Sequence, residues 1–78
     1  MNPLQQLLTF LEHLNSGNIG YLLQSDAESI LVIVRSDAGM HEVAFFADGA
    51  IEMQSFEQGE EAESVTLEEL TCSPEFRT

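Results

Sequence analysis

The sequence predicts an α+β fold, in which an N-terminal amphipathic helix packs on a four-stranded antiparallel meander and a short C-terminal helix or tail follows. Three observations predict it: a leucine repeat of helical period, several short β-rich runs separated by turn residues, and an acidic stretch near the end of the chain. A chain of 78 residues buries only roughly 60% of the surface that its unfolded form exposes. We therefore expect residues 1–78 to form one small domain.

The first predicted element is a helix over residues 3–15. Leucines recur at spacings of three and four, which places them on one stripe of the helix; they are Leu4, Leu7, Leu8, Leu11 and Leu14. Asn2 is suited to cap the helix, Pro3 fits its first position, and Gly17 can adopt the left-handed conformation that ends it. Phe10 lies off this stripe, so we expect it to be available as an apolar anchor for a partner.

Four strands follow, at about 19–24, 29–35, 41–47 and 50–56. The last two are separated by Asp48-Gly49, which is a strong hairpin signal between alternating runs. Taken as a two-residue turn, this dipeptide pairs Ala47 with Ala50 and fixes which side chains of the two strands share a face.

This register divides the apolar side chains between two faces. The face predicted to lie under the helix contains Leu31, Ile33, Ala44, Phe46, Ile51 and Met53. The opposite face contains Ile30, Val32, Val34, Val43 and Phe45. Because soluble monomers rarely expose so large an apolar patch, we expect the C-terminal segment or a second copy of the chain to cover this second face. A homodimer is favoured, since one or two helical turns are too short to cover it.

The C-terminal part is predicted to consist of an acidic linker over residues 57–63 and a short helix or tail over residues 66–78. Thr66 and Glu69 have the spacing of a capping box, in which each side chain bonds the backbone of the other residue. Pro74 ends the helix, because the residue before a proline avoids the helical conformation.

Histidine and cysteine, which often act in catalysis or bind metals, occur only three times in the sequence, and their spacing does not favour a shared site. Adjacent residues of a strand point to opposite faces, so Glu42 is unable to orient His41. His13 has no other ligand type near it, whereas zinc requires three or four convergent ligands. Both histidines are predicted to be half-exposed, and Cys72 to be an inert thiol without a disulfide. We expect no enzymatic activity, no cofactor and no metal.

The charge composition is the most unusual feature of the sequence. Two arginines, no lysine and fourteen carboxylates give a formal net charge of -12, whereas solubility of a small domain needs a magnitude of only about 2–8. Such a field repels nucleic acid and anionic membranes and attracts a basic surface. The predicted partner is therefore a basic, nucleic-acid-binding protein. The lack of a basic N-terminal segment and of a long apolar run predicts a cytoplasmic location.

In a meander, alternate turns lie at the same end of the sheet. Asp26, Glu28 and Asp48 are predicted to lie at one end. The residues predicted to bind the partner lie at the other end, and they are Asp37, Glu57, Glu60, Glu61 and Glu63. They would occupy the basic groove that the partner uses for phosphates.

In size, charge and helix-plus-sheet character, the chain resembles small acidic inhibitors such as uracil-DNA glycosylase inhibitor, anti-CRISPR proteins and toxin-immunity proteins. The resemblance implies inhibition of a basic protein, and it assigns no residue roles because no motif of these proteins occurs here. The alternative is a chaperone or adaptor, because the order of helix, strands and short helix is similar to that of the acidic, homodimeric type III secretion chaperones. Those chaperones are longer, and they bind unfolded segments in apolar grooves.

Overall fold

The computed structural model describes residues 2–36, 39–55 and 63–72. Its elements are α1 (Pro3–Ser16), β1 (Tyr21–Ser25), β2 (Ser29–Ser36), β3 (Gly39–Phe46), β4 (Ile51–Ser55), β5 (Glu63–Ser64) and α2 (Leu67–Cys72). The strands form one antiparallel sheet in the order β1-β2-β3-β4-β5. The α+β fold is confirmed, with a short fifth strand where the acidic linker was predicted to end.

Both helices begin at the caps that the sequence indicates. Asn2 Oδ1 accepts a hydrogen bond of 2.7 Å from the backbone N–H of Gln5. In the second helix, Thr66 and Glu69 form the reciprocal capping box, with bonds of 3.1 and 3.2 Å. The end of α1 differs from the prediction, because Gly17 has a φ of -95° and the left-handed residue is Asn18 with a φ of 56°.

The turn between β3 and β4 overturns the predicted register. The backbone N–H of Phe46 donates to the carbonyl of Ala50 at 2.9 Å, so the loop has three residues, 47–49, instead of two. Gly49 has a φ of 96°, as expected for the last residue of a three-residue hairpin loop. Ile51 therefore lies opposite Phe45 and not Phe46.

A shift of one residue moves every side chain of β4 to the other face of the sheet. Ile51 and Met53 join the face of Val43 and Phe45, which the helices cover. The predicted core face is therefore wrong: Leu31, Ile33, Ala44 and Phe46 lie on the opposite side of the sheet. The apolar side chains on the covered face favour this arrangement, because it buries Ile51 with them.

The helices cover the face that was expected to need the tail or a second copy. Val32, Val34 and Val43 are fully buried there, Phe45 is almost fully buried and Ile30 is half-buried. The cover consists of Leu7, Phe10 and Leu14 from α1 and Leu70 from α2. The described helices complete this core, so a second copy is not needed to bury it.

The buried stripe of α1 differs from the predicted leucine stripe. Phe10 is 0% exposed and its ring lies 5.6 Å from that of Phe45, so it belongs to the core and is not an anchor for a partner. Leu4 and Leu8, by contrast, are more than half exposed. Leu7, Phe10 and Leu14 also form a stripe of helical period, and this stripe faces the sheet in place of the leucine stripe. It contains Phe10, the largest apolar side chain of the helix, so its burial is the more favourable of the two.

Candidate functional site

The second face of the sheet carries both apolar and acidic side chains. We call it the open face, since both helices contribute their buried residues to the other side. It includes Leu31, Ile33, Glu42, Ala44, Phe46, Glu52 and Gln54, and the register also places Leu22 and Gln24 of β1 and Arg35 of β2 on this face. All of these side chains are partly exposed.

A depression of about 200 Å³ lies in this face. Leu31, Ala44 and Phe46 form its apolar part, and the carboxylates of Glu42 and Glu52 line it from two neighbouring strands. Glu52 lies opposite Ala44, and Glu42 lies opposite Gln54, so the two glutamates are diagonal neighbours about 7–8 Å apart. One extended basic segment could contact both.

Three more carboxylates lie at one end of the sheet, and we call Asp26, Glu28 and Asp48 the acidic end. The backbone N–H of Ala47 donates to the carbonyl of Glu28 at 3.1 Å, which joins the β1–β2 loop to the β3–β4 turn. Asp48 Oδ1 accepts a 3.0 Å bond from the N–H of Ala50 and so holds the turn. As expected from the meander, these carboxylates lie together.

The acidic end and the open face form one continuous surface. Asp26 lines the depression as well as belonging to the acidic end. Phe46 also lines a second depression, of about 310 Å³, together with Glu28 and Asp48. A ligand seated on Phe46 would therefore contact carboxylates from both groups.

An apolar pocket of about 270 Å³ opens on the helix side of the acidic end. Leu4, Ile30 and Phe45 are among its lining residues, and Asp26 and Glu28 also border it. The other side of α1 is tied to the β3–β4 turn, since Gln6 Nε2 donates to the carbonyl of Gly49 at 3.1 Å. Carboxylates thus border apolar surface on both sides of the sheet.

The residues that the sequence predicted for partner binding have different outcomes. Asp37, Glu57, Glu60 and Glu61 lie outside the described residues. Glu63 lies in β5 and is exposed, but it pairs with Met53 on the helix side of the sheet. The structure therefore does not place it on the open face.

The two histidines and the cysteine lie on three different elements, with His13 in α1, His41 in β3 and Cys72 in α2. His41 is 6% exposed and lies opposite Val34 on the helix side, so its predicted half-exposure is wrong; His13 is half-buried as expected. Cys72 is an exposed free thiol. Within residues 2–36, 39–55 and 63–72, no group of three or more His, Cys, Asp or Glu side chains is arranged to hold a metal ion.

No family model matches this chain, and neither the curated proteins nor the solved structures include a match to it. In the part of the chain that the structure describes, neither helix has the length and apolar character needed to cross a membrane.

Proposed function

We propose that this chain is a non-enzymatic binding protein that inhibits or neutralises a basic, nucleic-acid-binding protein by occupying its cationic surface. The observation that carries the proposal is the open face, where Asp26, Glu42 and Glu52 line a depression that also contains Leu31 and Phe46. The proposed location is the cytoplasm of the producing or infected cell. Activity of the inhibitor, anti-CRISPR or toxin-immunity type fits this description.

The carboxylates supply attraction and orientation. With a formal net charge of -12, the chain steers a basic surface towards itself at low salt. Asp26 is exposed, and Glu42 and Glu52 keep part of their surface in water, so all three can exchange water for a guanidinium or ammonium group. Glu42 and Glu52 project from paired strands, so little backbone order has to be gained on binding.

The apolar part of the depression supplies residence time. Phe46 lines both depressions and is partly exposed. An aromatic side chain in this position, surrounded by polar groups, is typical of the anchor residues of protein interfaces. It takes the role that the sequence suggested for Phe10. The predicted residues Asp37, Glu57, Glu60 and Glu61 remain part of the proposal as additional contacts.

The proposal is tested by charge-neutralised variants of equal net charge. The open-face variant carries Asp26→Asn, Glu42→Gln and Glu52→Gln. The control carries Glu12→Gln, Glu68→Gln and Glu69→Gln, which remove the same charge from exposed positions elsewhere. Each protein is used to capture binding proteins from a host lysate at about 50 and about 300 mM salt, with and without duplex DNA as a competitor.

We expect the wild type and the control to retain basic nucleic-acid-binding proteins that salt and duplex DNA release. The open-face variant should bind them about tenfold more weakly, since three partly exposed ion pairs are together worth about 1.4 kcal/mol. Equal binding by all three proteins would contradict the assignment of the site. Binding of unfolded segments that salt does not weaken would contradict the proposed function and support the chaperone alternative.

A further inference from the structure

Within the residues that the structure describes, four large apolar side chains are more than half exposed, and they lie in β1 and α1. Leu22 and Leu23 lie in β1, at 67% and 53% exposure, and Leu4 and Leu8 lie on α1. Leu4 lines the pocket that also includes Ile30 and the β1–β2 loop, so this flank of α1 faces the β1–β2 side of the sheet. Leu8, one helical turn later, lies on the same flank.

This side of the molecule is also the part with the fewest carboxylates. No Asp or Glu occurs from residue 13 to residue 25, and β2 carries none. The carboxylates of the strands are Glu42 in β3, Glu52 in β4 and Glu63 in β5. Two molecules with a formal charge of -12 repel each other, and the side formed by β1 brings the fewest carboxylates together, with Asp26 and Glu28 at the end of the strand.

Among the described strands, β1 is the first of the sheet and pairs with β2 alone, so its other backbone edge has no strand partner within residues 2–36, 39–55 and 63–72. The N–H of Arg35 donates to the carbonyl of Gly20, and the N–H of Asp26 donates to that of Ser29. In an antiparallel ladder the bonded positions alternate, so Leu22 and Gln24 face β2. The N–H and C=O groups of Tyr21, Leu23 and Ser25 therefore point away from the sheet.

We propose that a second copy of this chain pairs with this edge, β1 against β1, about a two-fold axis at Leu23. In this antiparallel register Tyr21 of one protomer bonds Ser25 of its partner, and the two Leu23 residues bond each other. Every outward-facing backbone group of the strand is then paired. The edge also lacks the lysine, proline or bulge with which natural edge strands avoid such pairing.

The same symmetry buries the exposed side chains of α1. A two-fold axis perpendicular to the sheet keeps both helices on one side, so the flanks with Leu4 and Leu8 approach each other over the paired Leu23 side chains. This contribution matters, because a stable interface usually buries about 800 Å² per partner and a single pair of short strands does not reach that area. The open faces stay accessible, and the proposal does not depend on the proposed function.

The first test is sedimentation velocity of the unmodified chain at several salt concentrations. We expect a dimer at about micromolar concentration that becomes tighter as salt rises, because screening weakens repulsion between two acidic protomers. Binding to a basic partner weakens as salt rises, whereas the dimer becomes tighter. The experiment can therefore contradict the dimer without contradicting the proposed function, and the reverse. A monomer at about 100 µM and at every salt concentration would overturn the dimer.

The second test uses the contact of residue 23 with itself. Leu23→Glu and Leu23→Lys should each weaken the dimer at least about tenfold, because they place like charges together and remove apolar burial. An equimolar mixture of the two variants should restore association. Ser25→Glu mixed with Ser25→Lys is the control, since residue 25 lies opposite Tyr21 of the partner and four residues along the strand from the partner's Ser25; restoration by this pair, or by neither, would overturn the register.

Amide hydrogen exchange keeps the proposal testable if the charged variants fold poorly. In the unmodified chain, the amide of Leu23 should become protected as the protein concentration rises, whereas that of Leu22 should be protected at every concentration. The exchange rate of the Leu23 amide is compared across the concentrations at which sedimentation detects a dimer. If this rate does not change with concentration, the dimer contact does not involve the edge of β1.

Discussion

The position of Phe10 gives the sharpest test of the fold. The structure places this side chain at 0% exposure, 5.6 Å from the ring of Phe45, whereas Leu8 in the same helix is 55% exposed. Phe10→Ala should therefore cost about 3–5 kcal/mol, through lost burial and the cavity left behind. In the monomer, Leu8→Ala should change stability by less than about 0.5 kcal/mol, because little burial is lost there and alanine is the best helix former; the measurement is therefore made below the concentration at which the protein dimerises.

The cost of Phe10→Ala is large for a chain of this size. At about 0.05–0.15 kcal/mol per residue, 78 residues give a free energy of unfolding of about 4–12 kcal/mol. The loss corresponds to a decrease in melting temperature of roughly 12 °C or more. Urea unfolding followed by far-UV circular dichroism measures both variants. A greater loss for Leu8→Ala than for Phe10→Ala would refute the helix orientation and the face on which the core lies.

Three further predictions concern charge, the hairpin and the second helix. Moderate salt should raise the melting temperature in a thermal scan, because it screens the repulsion within a chain of charge -12; an unchanged or lower value would contradict unbalanced surface charge. Gly49→Ala should lower the free energy of unfolding in urea by about 1 kcal/mol, because Gly49 has a φ of 96°. Gly20→Ala is the control and should cost less: an added Cβ meets no atom within 4 Å at either position, so the two variants differ in backbone strain and not in steric contact. Thr66→Ala should cost about 1 kcal/mol by removing the capping box of α2; a loss equal to that of Leu70→Ala, which removes a core side chain, would show that the cap controls docking of the whole helix.

The site was predicted only in part, and the reason is the length of one turn. The sequence analysis grouped Leu31, Ala44 and Phe46 on one face and Val43 and Phe45 on the other, and the structure has the same grouping. It then assigned Ile51 and Met53 of β4 to the wrong face, because Asp48-Gly49 is compatible with both a two-residue and a three-residue loop. The depression between Glu42 and Glu52 was therefore missed. The alternation of apolar and polar residues in β4 could have indicated the correct register. When Ile51 and Met53 share the face of Phe45, Glu52 and Gln54 both lie on the opposite face.

The sequence alone determined the N-terminal caps of both helices, the meander, the acidic end and the excess of negative charge, because each depends on local backbone chemistry, on alternation or on a sum over residues. The tertiary structure decided which face of the sheet the helices cover and which stripe of α1 is buried. Both features depend on which arrangement buries the most apolar surface in one core. Phe10, Val43 and Ile51 belong to the same core only in the observed hairpin register. Tertiary packing also decided which edge of the sheet is open in the part of the chain that the structure describes, since α1 lies over β3 and α2 contacts α1, and neither described helix covers the edge of β1.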